Sequence, residues 1–165
     1  MLSVSKEWLG LDPEKRETIL RFQNEFPIKL GQLSTEFGLI VKKATLPSNI
    51  SGEIKEVDGS VIIRVNRHDA LTRQRYTLAH EISHFLLHRH LLEGGISDDV
   101  LYRSAQSNEI EVEANRLAAD ILMPVSQIQD LYKEYSTVKG ELLYQKIAEA
   151  LNVSTIALKI RLNKI

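Results

Sequence analysis

The stretch RYTLAHEISHFLLHRH, residues 75–90, decides how the rest of the chain is read. Apolar residues recur through it at three- and four-residue steps (Leu78, Ile82, Phe85, Leu86), the period of one helix face. No proline or glycine follows before Gly94-Gly95, so the stretch reads as one helix from about Ala70 to His90. Into this helix the sequence places His80, Glu81 and His84. Residues four apart on a helix lie about 40° and 6 Å from each other on one face, so the two imidazoles can hold one ion. Glu81 falls at the edge of such an ion, where its carboxylate can take a proton from a water activated there. Two histidines and a glutamate can also be ordinary residues of an amphipathic helix. The unbroken apolar context on both sides favours the metal site, which then needs a third protein ligand and an open position.

Composition narrows the choice of that ligand. The chain has 165 residues and no cysteine, which leaves only nitrogen and oxygen ligands and excludes disulfides and thiolate chemistry. Downstream, NEIEVEANRLAADILMP reads as a helix from Asn108 to Leu122, capped by Ser107, with Ile110, Ala114, Leu117, Ala118 and Ile121 on its inner stripe. It carries Glu109, Glu111 and Glu113. Glu111 shares a face with Ala114, Asn115 and Ala118, small enough to let the two helices approach, and is the preferred third ligand; spacing alone does not separate it from Glu113. Asn115 is placed to hydrogen-bond the ring of His80 or His84 and fix it. Glu109 reads as a solvated acid near a helix start.

RQRYTLAHEISHFLLH followed by EVEANRLAADILMP resembles the ImmA/IrrE family of bacterial zinc metallopeptidases over roughly residues 61–124. Leu117 stands where Phe is commoner in the family and Ser83 where Gly is commoner; neither position touches the chemistry. The resemblance implies an α+β, zincin-like fold of the gluzincin kind. It makes His80, His84 and Glu111 ligands of one Zn²⁺ and Glu81 the general base. It also implies proteolysis of a protein partner, a transcriptional repressor or regulator, often in phage, mobile-element or stress circuits.

Around this centre, Asp12-Pro13-Glu14 reads as a helix start, with the helix running to about Phe26, and Ile28 to Phe37 as a short second helix stopped by Gly38. LIVKKA, SGEIKEV and SVIIRVN read as strands of a small antiparallel sheet, the last two joined by a hairpin turn at Asp58-Gly59. This sheet is expected to pack on the motif helix and the Glu-ligand helix, and VIIRVN to offer an edge to an extended peptide. Residues 91–106 read as a loop. Three helical pieces follow, at about Ser126 to Tyr135, Gly140 to Leu151 and Ser154 to Asn163. The whole is expected to be one domain, with a core at 39–124 and a helical part at 126–165.

Several other residues are candidates for the site. His88, four residues after His84, fits either support of a ligand, transition-state stabilisation, or a helix-end histidine at the dipole. Tyr102 lies in a loop that can border the cleft, where its hydroxyl would reach an oxyanion or simply pack. His90 reads as a surface residue and His68 as a cap or exposed residue. Arg73 and Arg75 lead into the motif and can bind substrate or stay solvated.

The C-terminal stretch gives a rival reading. The segments meeting at Asn152-Val153-Ser154 resemble a helix-turn-helix, with Lys159, Arg161 and Lys164 decorating its second helix. The alternative function is therefore a non-proteolytic metal-binding or helix-turn-helix regulator that binds a partner or DNA. A net charge of -1 and the scarcity of base-reading side chains argue against direct DNA binding. The early polar residues and the lack of a long apolar run predict a cytoplasmic protein with no membrane partner.

Overall fold

The computed structural model describes residues 2–99 and 105–165. Helix α1 (Lys6–Leu9) is capped by the Ser5 hydroxyl, and α2 (Pro13–Phe22) starts on Asp12, whose carboxylate accepts from Glu14 N–H. Helix α3 (Leu30–Glu36) ends before Gly38, which has φ +74°. Three strands follow: β1 (Ile40–Ala44), β2 (Ile50–Val57) and β3 (Ser60–Asn66). Helix α4 (Leu71–Leu87) carries the histidine motif; a 3-10 turn (Arg89–Gly94) leads into β4 (Ile96–Asp99) and then α5 (Ala105–Leu122). The chain closes with α6 (Val125–Glu134), α7 (Glu141–Leu151) and α8 (Thr155–Arg161). The class is α+β and zincin-like, with one small sheet against the helices.

The sheet is mixed, where the sequence suggested an antiparallel one. Its order is β1-β3-β2-β4; β2 pairs antiparallel with β3 and β4, but β1 runs parallel to β3. The hairpin at Asp58-Gly59 forms as read, both residues having the positive φ its tight turn needs. The connection after β1 is different. Asn66, buried at the end of β3, donates to the carbonyls of Leu46 and Ile50 and pins the 45–50 loop across that end. The chain therefore returns as β2 one position away, and β3 fills the gap between. VIIRVN is consequently internal, paired on both sides, and offers no edge to a peptide; β1 and β4 are the edges. The segment read as a loop at 91–106 supplies β4 and the first turn of α5.

The apolar core runs from Trp8 to Leu158, through Ile19, Leu33, Ile54, Ile63, Ile82, Leu117, Ile121, Ile128 and Ile147. Asp120, on the far side of α5, ties three elements together. It accepts from Ser5 N–H and the Ser5 hydroxyl and pairs with Arg161 of α8 at 2.8 Å. No helix among the described residues is long and apolar enough to cross a membrane.

One glycine controls how closely α4 approaches the sheet. A Cβ at Gly52 of β2 would collide with the Thr77 methyl and come within 3.1 Å of the Arg64 carbonyl oxygen and 3.4 Å of Glu81 Oε1. Only the absence of a side chain lets the motif helix sit at this depth. Gly52→Ala is expected to destabilise the fold by about 1–3 kcal/mol through overpacking, measured as a lower denaturant midpoint with unchanged slope.

Candidate metal centre

Helices α4 and α5 pack side by side, and their facing sides carry the site. Ala79 of α4 and Ala114 and Ala118 of α5 are fully buried, and these small side chains let the helices lie close. His80, Glu81 and His84 are buried on α4, and Glu111 on α5 is only 6 % exposed. Glu111 bridges the two rings: Oε2 lies 2.8 Å from His80 Nε2 and Oε1 3.0 Å from His84 Nε2. The two Nε2 atoms are 3.1 Å apart, and the rings meet nearly edge to face.

This is a buried His-His-Glu group able to bind a metal. Three ligands bound tetrahedrally at about 2.0–2.1 Å would stand about 3.3 Å from one another, close to the separations seen, so the donor set fits a zinc-sized ion with little movement. Burial alone would raise the Glu111 pKa, but hydrogen bonds and charge from His80 and His84 outweigh it and bring the value to about 2. Glu111 is therefore a carboxylate throughout the neutral range.

The other nitrogens of the two rings are also held. His80 Nδ1 lies 2.8 Å from Asn115 Oδ1, an acceptor that orients the ring with its Nε2 turned toward Glu111. Tyr76 reaches the same residue through its backbone, its hydroxyl 3.4 Å from the Asn115 carbonyl. His84 Nδ1 lies 2.9 Å from His88 Nδ1. His88 caps the end of α4, which stops at Leu87 and not at Gly94-Gly95. The His88 ring is buried, and its other nitrogen points toward Glu113 Oε1 at 3.6 Å. Burial and the neighbouring His84 lower the His88 pKa against the opposing pull of Glu113.

The remaining candidates are placed differently. Glu109 and His90 are exposed. His68 is exposed as well, near the Thr45 hydroxyl and donating its backbone N–H to Asn66. Arg75 donates to the Ile28 carbonyl, and burial lowers its pKa; Arg73 is held by Ser51 and Asp69 beside the motif. Tyr102 lies outside the described residues. The sequence reading had no role for Gly52, although a glycine inside a strand-forming run is a sign of close approach. An open groove of about 810 Å³ meets the site at His80 and Asn115 and runs between α4, α5 and α8, with Arg73, Tyr76, Val112, Arg116 and Ile160 among its walls.

Such a group on paired helices of a zincin-like fold defines a metallopeptidase. The sequence bears this out: the family model of the M78 peptidases, described as the IrrE N-terminal-like domain, matches residues 32–163, most of the chain. The protein belongs to the ImmA/IrrE family of metallopeptidases, hydrolases that act on protein substrates. No curated protein matches the chain. Removing the acceptor on His80 tests the geometry. Asn115→Leu is expected to weaken metal affinity about 10- to 100-fold, measured by chelator competition, with the thermal midpoint of the metal-free protein little changed.

Proposed function

We propose that the protein is a cytoplasmic zinc endopeptidase that cleaves one peptide bond in a protein partner, a repressor-type transcriptional regulator. The observation that carries the catalytic reading is the fully buried Glu81 on the same helix turn as the His-His-Glu cluster. His80, His84 and Glu111 would hold the Zn²⁺. When bound, the ion supplies Lewis acidity for the attacking water and the scissile carbonyl. Glu81 takes the proton from the attacking water and delivers it to the leaving amine. Its carboxylate sits beneath Gly52 of β2, where the fold and not solvent fixes its direction. The groove beside His80 offers apolar and arginine side chains to the residues flanking the cut. The repressor as substrate and the cytoplasmic setting rest on family resemblance, with which a cysteine-free chain agrees.

The rival reading is a regulator that binds without cutting, through DNA or a partner. Two of the three cations that would decorate its second helix are already paired: Arg161 with Asp120, and Lys159 with Glu141. Glu81→Gln separates the readings. Incubated with purified repressor-type regulators, the zinc-loaded wild type is expected to yield discrete fragments, and Glu81→Gln to cut at least about 100-fold more slowly with equal zinc content. Binding without cleavage by the wild type, or undiminished cleavage by the variant, contradicts the proposal.

A further inference from the structure

The chain carries 22 acidic and 21 basic side chains. The groove that meets the site at His80 and Asn115 does not share that balance: the described residues that line it include three arginines and no acid. Arg161 is committed within the fold, buried and donating to Asp120 and to the carbonyls of Met123 and Ser3. Arg73 and Arg116 are half-exposed, and their partners stand outside the groove lining: Ser51 and Asp69 meet Arg73 at Nε, and Glu7 meets Arg116 at Nη1. A guanidinium has five N–H donors in a fixed fork, so each keeps donors for a further carboxylate. A second observation is apolar. Ile156 and Ile160, one turn apart on α8, line the same groove and are 64 % and 59 % exposed. Large apolar side chains left open along one concave wall mark a place where another surface is buried.

We infer that this groove holds one arm of the protein substrate and selects a segment with an acidic side chain about two to four residues from the cut bond, followed by apolar ones. The spacing comes from the two helices. Arg73 precedes His80 by seven residues, about 10 Å along α4, and Arg116 follows Glu111 by five, about 7–8 Å along α5. An extended peptide leaving the metal centre covers about 3.3 Å per residue, which brings its second to fourth residue level with the two guanidiniums. A carboxylate there gains charge-assisted hydrogen bonds, whereas a lysine or arginine meets like charge. Helix α8 is anchored further along, beside Asp120 and Met123, so Ile156 and Ile160 meet the residues that come next. The face that α8 turns to the groove therefore suits a peptide and not a phosphate backbone.

The inference deepens the metallopeptidase reading: it rests on that reading for where the cut falls, and not for what the groove holds. The probe is a library of random, end-blocked peptides long enough to span the groove, offered to full-length, zinc-loaded protein. Cleavage sites read by mass spectrometry are expected to show Asp or Glu enriched about 3- to 10-fold at the stated position, with Lys and Arg depleted there. Arg73→Gln is expected to reduce that enrichment and, for a peptide taken from the wild-type set, to raise KM with kcat little changed. Ile160→Ser is expected to relax the apolar preference beyond the acid, and Leu142→Ser, exposed on α7 outside the groove, to change neither. Arg116→Gln also strips the buried Glu7 of its partner, so Arg73→Gln carries the test of charge. Affinity selection from the same library by zinc-loaded Glu81→Gln reads the groove without cleavage. Acidic, apolar peptides retained there and lost on adding Arg73→Gln support the inference even if the wild type cuts nothing, a result that counts against the peptidase reading alone. Selection with no acidic position, a preference for basic peptides, enrichment undiminished by Arg73→Gln, or peptides neither cut nor retained overturns the inference. So does a wild-type dimer that Ile160→Ser breaks, which would seat a second copy of the chain in the groove.

Discussion

A carboxylate and two imidazoles enclosed between two helices are stable only in one another's company. Glu111 is almost wholly buried, and it gains its stability from the two rings it bridges at 2.8 and 3.0 Å. That mutual need fixes the register of α5 against α4. The alanines at 79, 114 and 118 let the helices approach to the distance at which the bridge closes. Gly52 does the same where α4 meets the sheet, on the side of the helix that carries Thr77 and Glu81, admitting the helix to strands that would otherwise hold it off. The site is therefore part of what sets the fold, and the fold in turn holds Glu81 still.

The two candidate ligand rings are braced by different means. An amide oxygen meets Nδ1 of His80, and the buried imidazole of His88 meets Nδ1 of His84. Both braces act on Nδ1 and both leave Nε2 facing Glu111, so the rings present the same atom to the same point. Burial and the neighbouring His84 both disfavour a positive charge on His88, and such a charge beside His84 would weaken its hold on a cation.

Much of this was legible in the sequence because it is local. The helix period through Leu78, Ile82 and Phe85 locates α4, the cap at Asp12 starts α2, and Asp58-Gly59 dictates the β2–β3 hairpin. The face shared by Glu111, Ala114 and Ala118 is a property of one helix, and it points to the residue that the structure sets between the rings. What could not be read depends on distant partners. The parallel pairing of β1 follows from Asn66 pinning a loop some twenty residues earlier. The end of α4 at Leu87 follows from the ring of His88 turning toward His84 and Glu113. The basic look of α8 disappears once Asp120 and Glu141 take up Arg161 and Lys159.

The most direct test of the central claim is elemental analysis of the purified wild type beside Glu111→Ala. The account predicts about one zinc per chain in the wild type and none retained by the variant, since two imidazoles without the carboxylate leave the ion short of a ligand and of charge. A wild type that neither carries zinc nor takes it up, or a variant that keeps a full equivalent, would contradict it.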